Sequence, residues 1–279
     1  MAHIGERASL KIIRERSFGL YLDGEELGEI LLPHREVPAD NVIGGFLDVF
    51  VYTDSEDRPV ATCKMPKAMP GDVARLKCVA ITGVGAFLDW GLSKDLLVPF
   101  GEQKERMEVG RTYLVHVVLD KVSERIIAST RLTRYLDKTP HSFEKDQEVN
   151  LIIFAKTDLG YKAIINNTHT GLLFADAVFQ QLQPGERMKG YISALRDDGK
   201  IDLTIHAPGR AKVAGLEERI LSELTVRGGF WALGDHSTAA EIHEELGVSK
   251  RTFKQTLGAL LKKGLIHIEP RGIRIPPER

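Results

Sequence analysis

Phe18-Gly19-Leu20-Tyr21-Leu22-Asp23 recurs as Val84-Gly85-Ala86-Phe87-Leu88-Asp89 and, more loosely, as Leu159-Gly160-Tyr161-Lys162-Ala163-Ile164. Take Gly19, Gly85 and Gly160 as anchors, and three further positions repeat with them. Fourteen residues earlier stand Gly5, Gly71 and Asp146. Twelve residues later, Leu31, Leu97 and Leu172 open Leu-Leu-Pro, Leu-Val-Pro and Leu-Leu-Phe. Twenty-five residues later stand Gly44, Gly110 and Gly185. Self-similarity at a fixed spacing is the sequence signature of a repeated structural unit. The first 210 residues therefore hold three copies of one fold, the third the most diverged.

Each copy reads as short strands. Residues 10–14, 76–80 and 149–154 are rich in β-branched side chains and lead towards the anchor glycine. A second strand follows each glycine, and a third ends at the Leu-Leu-Pro block. Residues 48–52, 113–118 and 189–193 supply a fourth. Turns at 54–58, 120–125 and 197–200 lead to a fifth. Five short strands in so few residues cannot build a large sandwich, so a small closed barrel of OB type fits best. The anchor glycines are expected at bends where a strand coils sharply.

The period changes after Gly209. Leu216, Ile220, Leu221 and Leu224 form one helical stripe, and Ala239, Ile242 and Leu246 a second with Ser237 or Thr238 as N-cap. Ser249 caps a third helix whose core face is Phe253, Leu257, Leu260 and Leu261, and Gly264 stops it. Two short strands around Glu269-Pro270-Arg271-Gly272 complete the order of a winged helix-turn-helix. The expected architecture is mainly β and multidomain: three tandem OB barrels over 1–66, 67–140 and 141–210, then an α/β winged helix over 211–279.

Composition limits the function. The 279 residues carry 38 Lys and Arg against 39 Asp and Glu, so a uniformly basic nucleic-acid binder is excluded and any basic surface is local. Residues 249–279 hold eight basic groups against two acids, whereas residues 214–248 hold two against seven. The third helix and wing are thus the basic face of the last unit. Two cysteines, Cys63 and Cys78, cannot frame a disulfide scaffold or a four-Cys zinc site. No apolar run nears the ~20 residues of a membrane span, and the N-terminus lacks a signal-peptide core, so a cytoplasmic protein is expected.

The repeats resemble the S1-like RNA-binding OB domain. That domain sets an aromatic before the anchor glycine, another two residues after it, a His near the end of the third strand, and an Asp followed by an Arg in the last hairpin. Phe18, Tyr21, Asp54 and Arg58 match in the first copy, with His34 one residue beyond the His position at Pro33. Phe87, Asp120 and Arg125 match in the second. The third has Tyr161 displaced by one, Lys162 in the aromatic position, and Asp197 with Lys200. The set thins from first copy to third. The whole chain is also similar to the bacterial CvfB (conserved virulence factor B) family, through residues 52–62, 85–91, 94–99, 198–202 and 249–254. The resemblance implies three S1-like domains, a winged helix, RNA binding, post-transcriptional control and no catalysis.

Bases stack on exposed aromatic faces, so single-strand binders need such platforms. An aromatic in a small barrel is more often core. Strand alternation, however, sends Tyr21 and Phe87 opposite Leu22 and Leu88, which can fill the interior. Trp90, in the loop after its strand, joins the stacking candidates. Lys250, Arg251 and Lys254 on the third helix, with Arg271 and Arg274 in the wing, are the candidate phosphate contacts. Lys11, Arg14 and Arg16 read as a solvated face. Asp54, Glu56 and Asp57, and Asp197 with Asp198, could suggest metal-dependent nuclease chemistry, but Asp is favoured in such turns for its own backbone bonding. His236 and His243 stand apart from any cysteine, and no phosphate loop or nucleophile elbow appears. No cofactor or metal is expected. The leading expectation is a non-catalytic single-stranded RNA-binding regulator. A DNA-binding transcription regulator and a ribosome- or nuclease-associated adaptor, partnered with ribosomal or RNA-processing proteins, are the alternatives.

Overall fold

The computed structural model describes residues 1–175, 178, 181–205 and 211–276, with the backbone alone over 211–214. Its first barrel comprises β1 (Arg7–Arg16), β2 (Gly19–Asp23), β3 (Glu29–Pro33), β4 (Phe46–Thr53) and β5 (Pro59–Thr62), closed in the order β1-β2-β3-β5-β4. The second repeats that order with β6 (Val73–Thr82), β7 (Gly85–Asp89), β8 (Leu96–Pro99), β9 (Thr112–Leu119) and β10 (Ile126–Ser129). The third uses β11 (Glu148–Thr157), β12 (Gly160–Ile165), β13 (His169–Phe174), β14 (Arg187–Leu195) and β15 (Ile201–Thr204).

The repeated positions have physical causes. Gly5, Gly71 and Asp146 turn at φ of 90°, 95° and 68° and donate backbone N–H bonds to Val51, Val117 and Ile192. Asp is among the residues that tolerate this left-handed turn, which is why it replaces glycine in the third copy. The anchor glycines do a different job from the one expected. A Cβ on Gly19 would lie 2.0 Å from the Leu32 carbonyl oxygen, and one on Gly85 2.2 Å from that of Val98. They permit close approach of the third strand. The bend itself lies six residues earlier, where the pairing register skips Ile13, Val79 and Phe154 as a bulge. A bulge raises twist, so one strand can pair with neighbours on both edges of a small barrel.

The barrels share cores. Leu20, Leu22, Ile30, Leu32 and Val51 fill the first. Phe50, Tyr52 and Val60 of the first barrel belong to the core of the second, with Trp90 edge-on to Phe50 at 5.9 Å. Between the second and third, Val73, Leu132, Leu136, Ile152 and Ile164 pack together. His116 stacks on Tyr135 at the same joint, and burial holds its imidazole pKa below the ordinary value.

The last unit has α1 (Ala211–Val226), β16 (Phe230–Trp231), α2 (Ala239–Leu246), α3 (Lys250–Lys262), β17 (His267–Glu269) and β18 (Gly272–Arg274), the strands ordered β16-β18-β17. Thr238 and Glu241 form a capping box on α2, and Gly247 ends it at φ 69°. The Ser249 side chain accepts the Thr252 N–H at the start of α3. Ile220, Trp231, Ile242, Phe253, Leu260 and Ile273 share one core. Strand β16 was not anticipated; two residues carry too little pattern. No described helix is long and apolar enough to cross a membrane.

Candidate nucleic-acid interface

Alternation along β2 buries Leu20 and Leu22 and leaves Tyr21 half-buried on the outside. The Arg14 guanidinium, paired with Tyr21 across β1 and β2, lies 4.7 Å from its ring centroid and bonds Glu29 at 2.5 Å. Phe18 is 72% exposed at the tip before β2. The backbone N–H of His34 donates to the Phe18 carbonyl at 2.9 Å, which sets the exposed His34 beside it. Phe18, Tyr21 and His34 thus surround the β2–β3 end of the first barrel.

The Asp54 carboxylate organises the β4–β5 hairpin. It accepts the backbone N–H groups of Glu56 and Arg58 at 2.8 and 3.0 Å, and the Arg58 guanidinium at 2.6 and 2.8 Å. Burial alone pushes its pKa up, but the Arg58 and backbone hydrogen bonds prevail and hold it below the ordinary value. Glu56 also pairs with Arg58, and Asp57 with Arg125. These carboxylates are tied to cations of the protein.

In the second barrel Phe87 is half-buried, paired with Ala80 and Leu97, and Val84 is exposed. Phe100 stands fifteen residues after Gly85, as His34 does after Gly19, and is 46% exposed. The sequence reading missed it, although the same anchor offset would have found it. Asp120 accepts from Ser123 Oγ and N–H within its own turn. Arg125 leaves Asp120 and reaches the first barrel, its Nε donating to Asp57 at 2.6 Å.

Two aromatic assignments are overturned. Trp90 is 3% exposed, packed on Phe50, with its Nε1–H donated to the Lys94 carbonyl at 2.6 Å. It joins two barrels and offers no face to a base. Tyr161 is 7% exposed in the third barrel's core, where its hydroxyl accepts the Leu182 N–H at 3.4 Å. Next along that strand, Lys162 takes the outward position. Lys200 is exposed and bonds Asp198 at 2.8 Å.

The basic helix is partly spoken for. Lys250 Nζ donates to the Ser237 carbonyl at 2.7 Å, and Lys254 pairs with Asp235 at 3.1 Å. Arg274 bonds Glu269 at 2.7 Å and lies over the Phe230 ring at 5.0 Å. Arg251 and Arg271, with Lys262 as a further cation, are exposed and have no acidic partner among the described residues. Lys250 ties the third helix to the residue before the cap of the second, which sequence spacing could not reveal.

A family model described as an S1 domain matches residues 4–64, and one described as a CvfB-like winged helix domain matches residues 218–275. The chain is similar to the CvfB family in its winged helix. Among proteins similar to this chain, uncharacterized protein YitL of Bacillus subtilis is 25% identical over 95% of this chain and 91% of its own length. Conserved virulence factor B of Staphylococcus epidermidis is 20% identical over 95% and 92%. A solved multidomain protein with nucleic acid binding domains from Streptococcus pneumoniae is 20% identical, spans 98% of both chains and gives a TM-score of 0.40. S1 and winged-helix domains are nucleic-acid-binding types, and the chain that carries them is a nucleic-acid-binding protein at that level of description.

Proposed function

We propose that this chain is a non-catalytic, single-stranded RNA-binding regulator that acts post-transcriptionally in the cytoplasm. RNA lies on the barrels, the first foremost, and the winged helix assists. The working units are 1–66, 67–140, 141–210 and 211–279. One observation carries the reading: cations and exposed rings coincide on one barrel. Outside β1 stand Lys11, Arg14 and Arg16; the same positions hold Lys77, Ala80 and Thr82, then Ile152, Ala155 and Thr157. Around them the first barrel sets Phe18, Tyr21 and His34, where the second has Val84, Phe87 and Phe100 and the third Leu159, Lys162 and Ala175.

Rings give base stacking that tolerates sequence, and the cations follow the phosphates. Phe18, Tyr21, Phe87 and Phe100 are assigned to bases. His34, Arg58, Lys162, Lys200, Arg251, Lys262 and Arg271 are assigned to the backbone. Asp54 and Asp120 shape their hairpins. Arg251, Lys262 and Arg271, without an acidic partner among the described residues, also favour a second reading, DNA binding through the winged helix. Crosslinking the protein to nucleic acid in cells and sequencing what comes off separates the two. RNA reads are expected; DNA reads in their place would support the second.

A further inference from the structure

The first barrel exposes a patch that the assigned face does not use. Phe46 is 67% exposed, and Val42, Ile43 and Ile13 are exposed beside it. The backbone brings them together. Gly44 N–H donates to the Ile12 carbonyl at 2.9 Å, and Ile12 N–H donates to that of Gly45 at 2.8 Å, so the loop before β4 lies along β1 at its bulge. Phe46 is then the register partner of Lys11.

We infer that Phe46 and Lys11 form a further nucleotide-binding position, one that carries a single strand from the Tyr21 face across β1 onto β4. Charge selects the occupant. Strand β1 lies between the two aromatics, with Arg14 against Tyr21 on one side and Lys11 against Phe46 on the other. Lys11 and Arg16 have no acidic partner among the described residues. Asp48, opposite Ser9 and two residues beyond Phe46, bounds the path with an anion. An exposed aromatic beside a cation fits a base with its phosphate. Two strand spacings across the sheet and three residues along β1 separate the rings, each on the order of 10 Å, a span for a strand longer than one nucleotide.

The position belongs to this barrel alone. The residues equivalent to Phe46 and Lys11 are Thr112 and Lys77 in the second barrel. In the third they are Arg187 and Ile152, and Arg187 there donates to the Val73 carbonyl at 2.6 Å, closing the surface against its neighbour. The inference rests on the proposed RNA reading and adds length to the bound strand.

The test is fluorescence anisotropy on the full chain with labelled mixed-sequence single-stranded RNAs of 4, 8 and 12 nucleotides at fixed salt. Phe46→Ala should weaken binding of the 12-mer by roughly 5- to 150-fold, the range of one lost base stack, and leave the 4-mer unchanged. Tyr21→Ala should weaken every length. Phe46→Trp should keep the affinity and show indole emission quenched by the 12-mer. If Phe46→Ala binds all lengths like the parent while Tyr21→Ala does not, the inference fails and the RNA reading stands. If the parent binds none of them, both fail. If Phe46→Ala instead abolishes self-association in sedimentation and leaves RNA affinity unchanged, the patch is a protein contact and the inference is overturned.

Discussion

Arg125, in the β9–β10 hairpin of the second barrel, pairs with Asp57 in the β4–β5 hairpin of the first, not with Asp120 of its own turn. Lys94 joins the same contact, its ammonium donating to the Thr53 and Asp54 carbonyls at 2.9 and 2.6 Å, and burial lowers its pKa. Hairpin tips that would be free in an isolated barrel therefore help hold two barrels in one orientation.

Arg125→Ala should leave RNA affinity and its salt dependence unchanged, because the guanidinium serves the joint. Binding isotherms at several salt concentrations check this. The contact should also fail in acid. The hydrogen bond from Arg125 holds the Asp57 pKa below its ordinary 3.8. Its contribution is then complete above that value and is lost as pH falls through the lower, folded one. Distances between spin labels on the two barrels should hold from pH 7 to pH 5 and broaden only in stronger acid. Broadening at pH 6 would point to another group.

Trp90→Ala should cost about 3–5 kcal/mol of stability, as truncation of a core aromatic does. Tyr161→Phe should cost about 1–3 kcal/mol, since the packing stays but the buried Leu182 N–H loses its acceptor. Phe18→Ala should leave melting unchanged and weaken RNA binding by ~1–3 kcal/mol. Melting and affinity measured on the same three variants separate joint, core and platform. Weaker binding by Trp90→Ala per folded molecule would show that the tryptophan reaches RNA after all.

Replacing Arg251, Lys262 and Arg271 together by Ala should flatten the salt slope of single-strand binding by about 2, at roughly 0.7 per phosphate contact. Lys250→Ala should change that slope little and lower the melting temperature, because it removes the bond to the Ser237 carbonyl. A large slope change from Lys250→Ala and none from the triple variant would reverse the assignment.

The repeat was legible because its signals are local. Gly5, Gly71 and Asp146 answer to a left-handed turn, and Thr238 and Ser249 to helix caps, so short windows of sequence announce them. Tyr21 and Phe87 were placed by strand alternation, and Leu22 and Leu88 do fill the barrels. Contacts between units left no such trace. Nothing local marks Trp90 as the partner of Phe50, or Arg125 as the partner of Asp57. Phe46 was invisible for a related reason: its exposure depends on a loop laid along a bulge. Lys11 and Arg16 are exposed, as a solvated face requires, and the rings on either side of that strand lie on other strands, where the sequence of β1 alone does not show them.

The central claim, that the barrels hold single-stranded RNA, is tested most directly by competition. The full chain is bound to a labelled single-stranded RNA and challenged with unlabelled RNA of the same sequence or with duplex DNA of equal length, at one salt concentration. Exposed rings such as Phe18 can stack only on unpaired bases, so the RNA competitor should displace the label at far lower concentration. Tighter competition by the duplex would contradict the account and assign the binding to the winged helix.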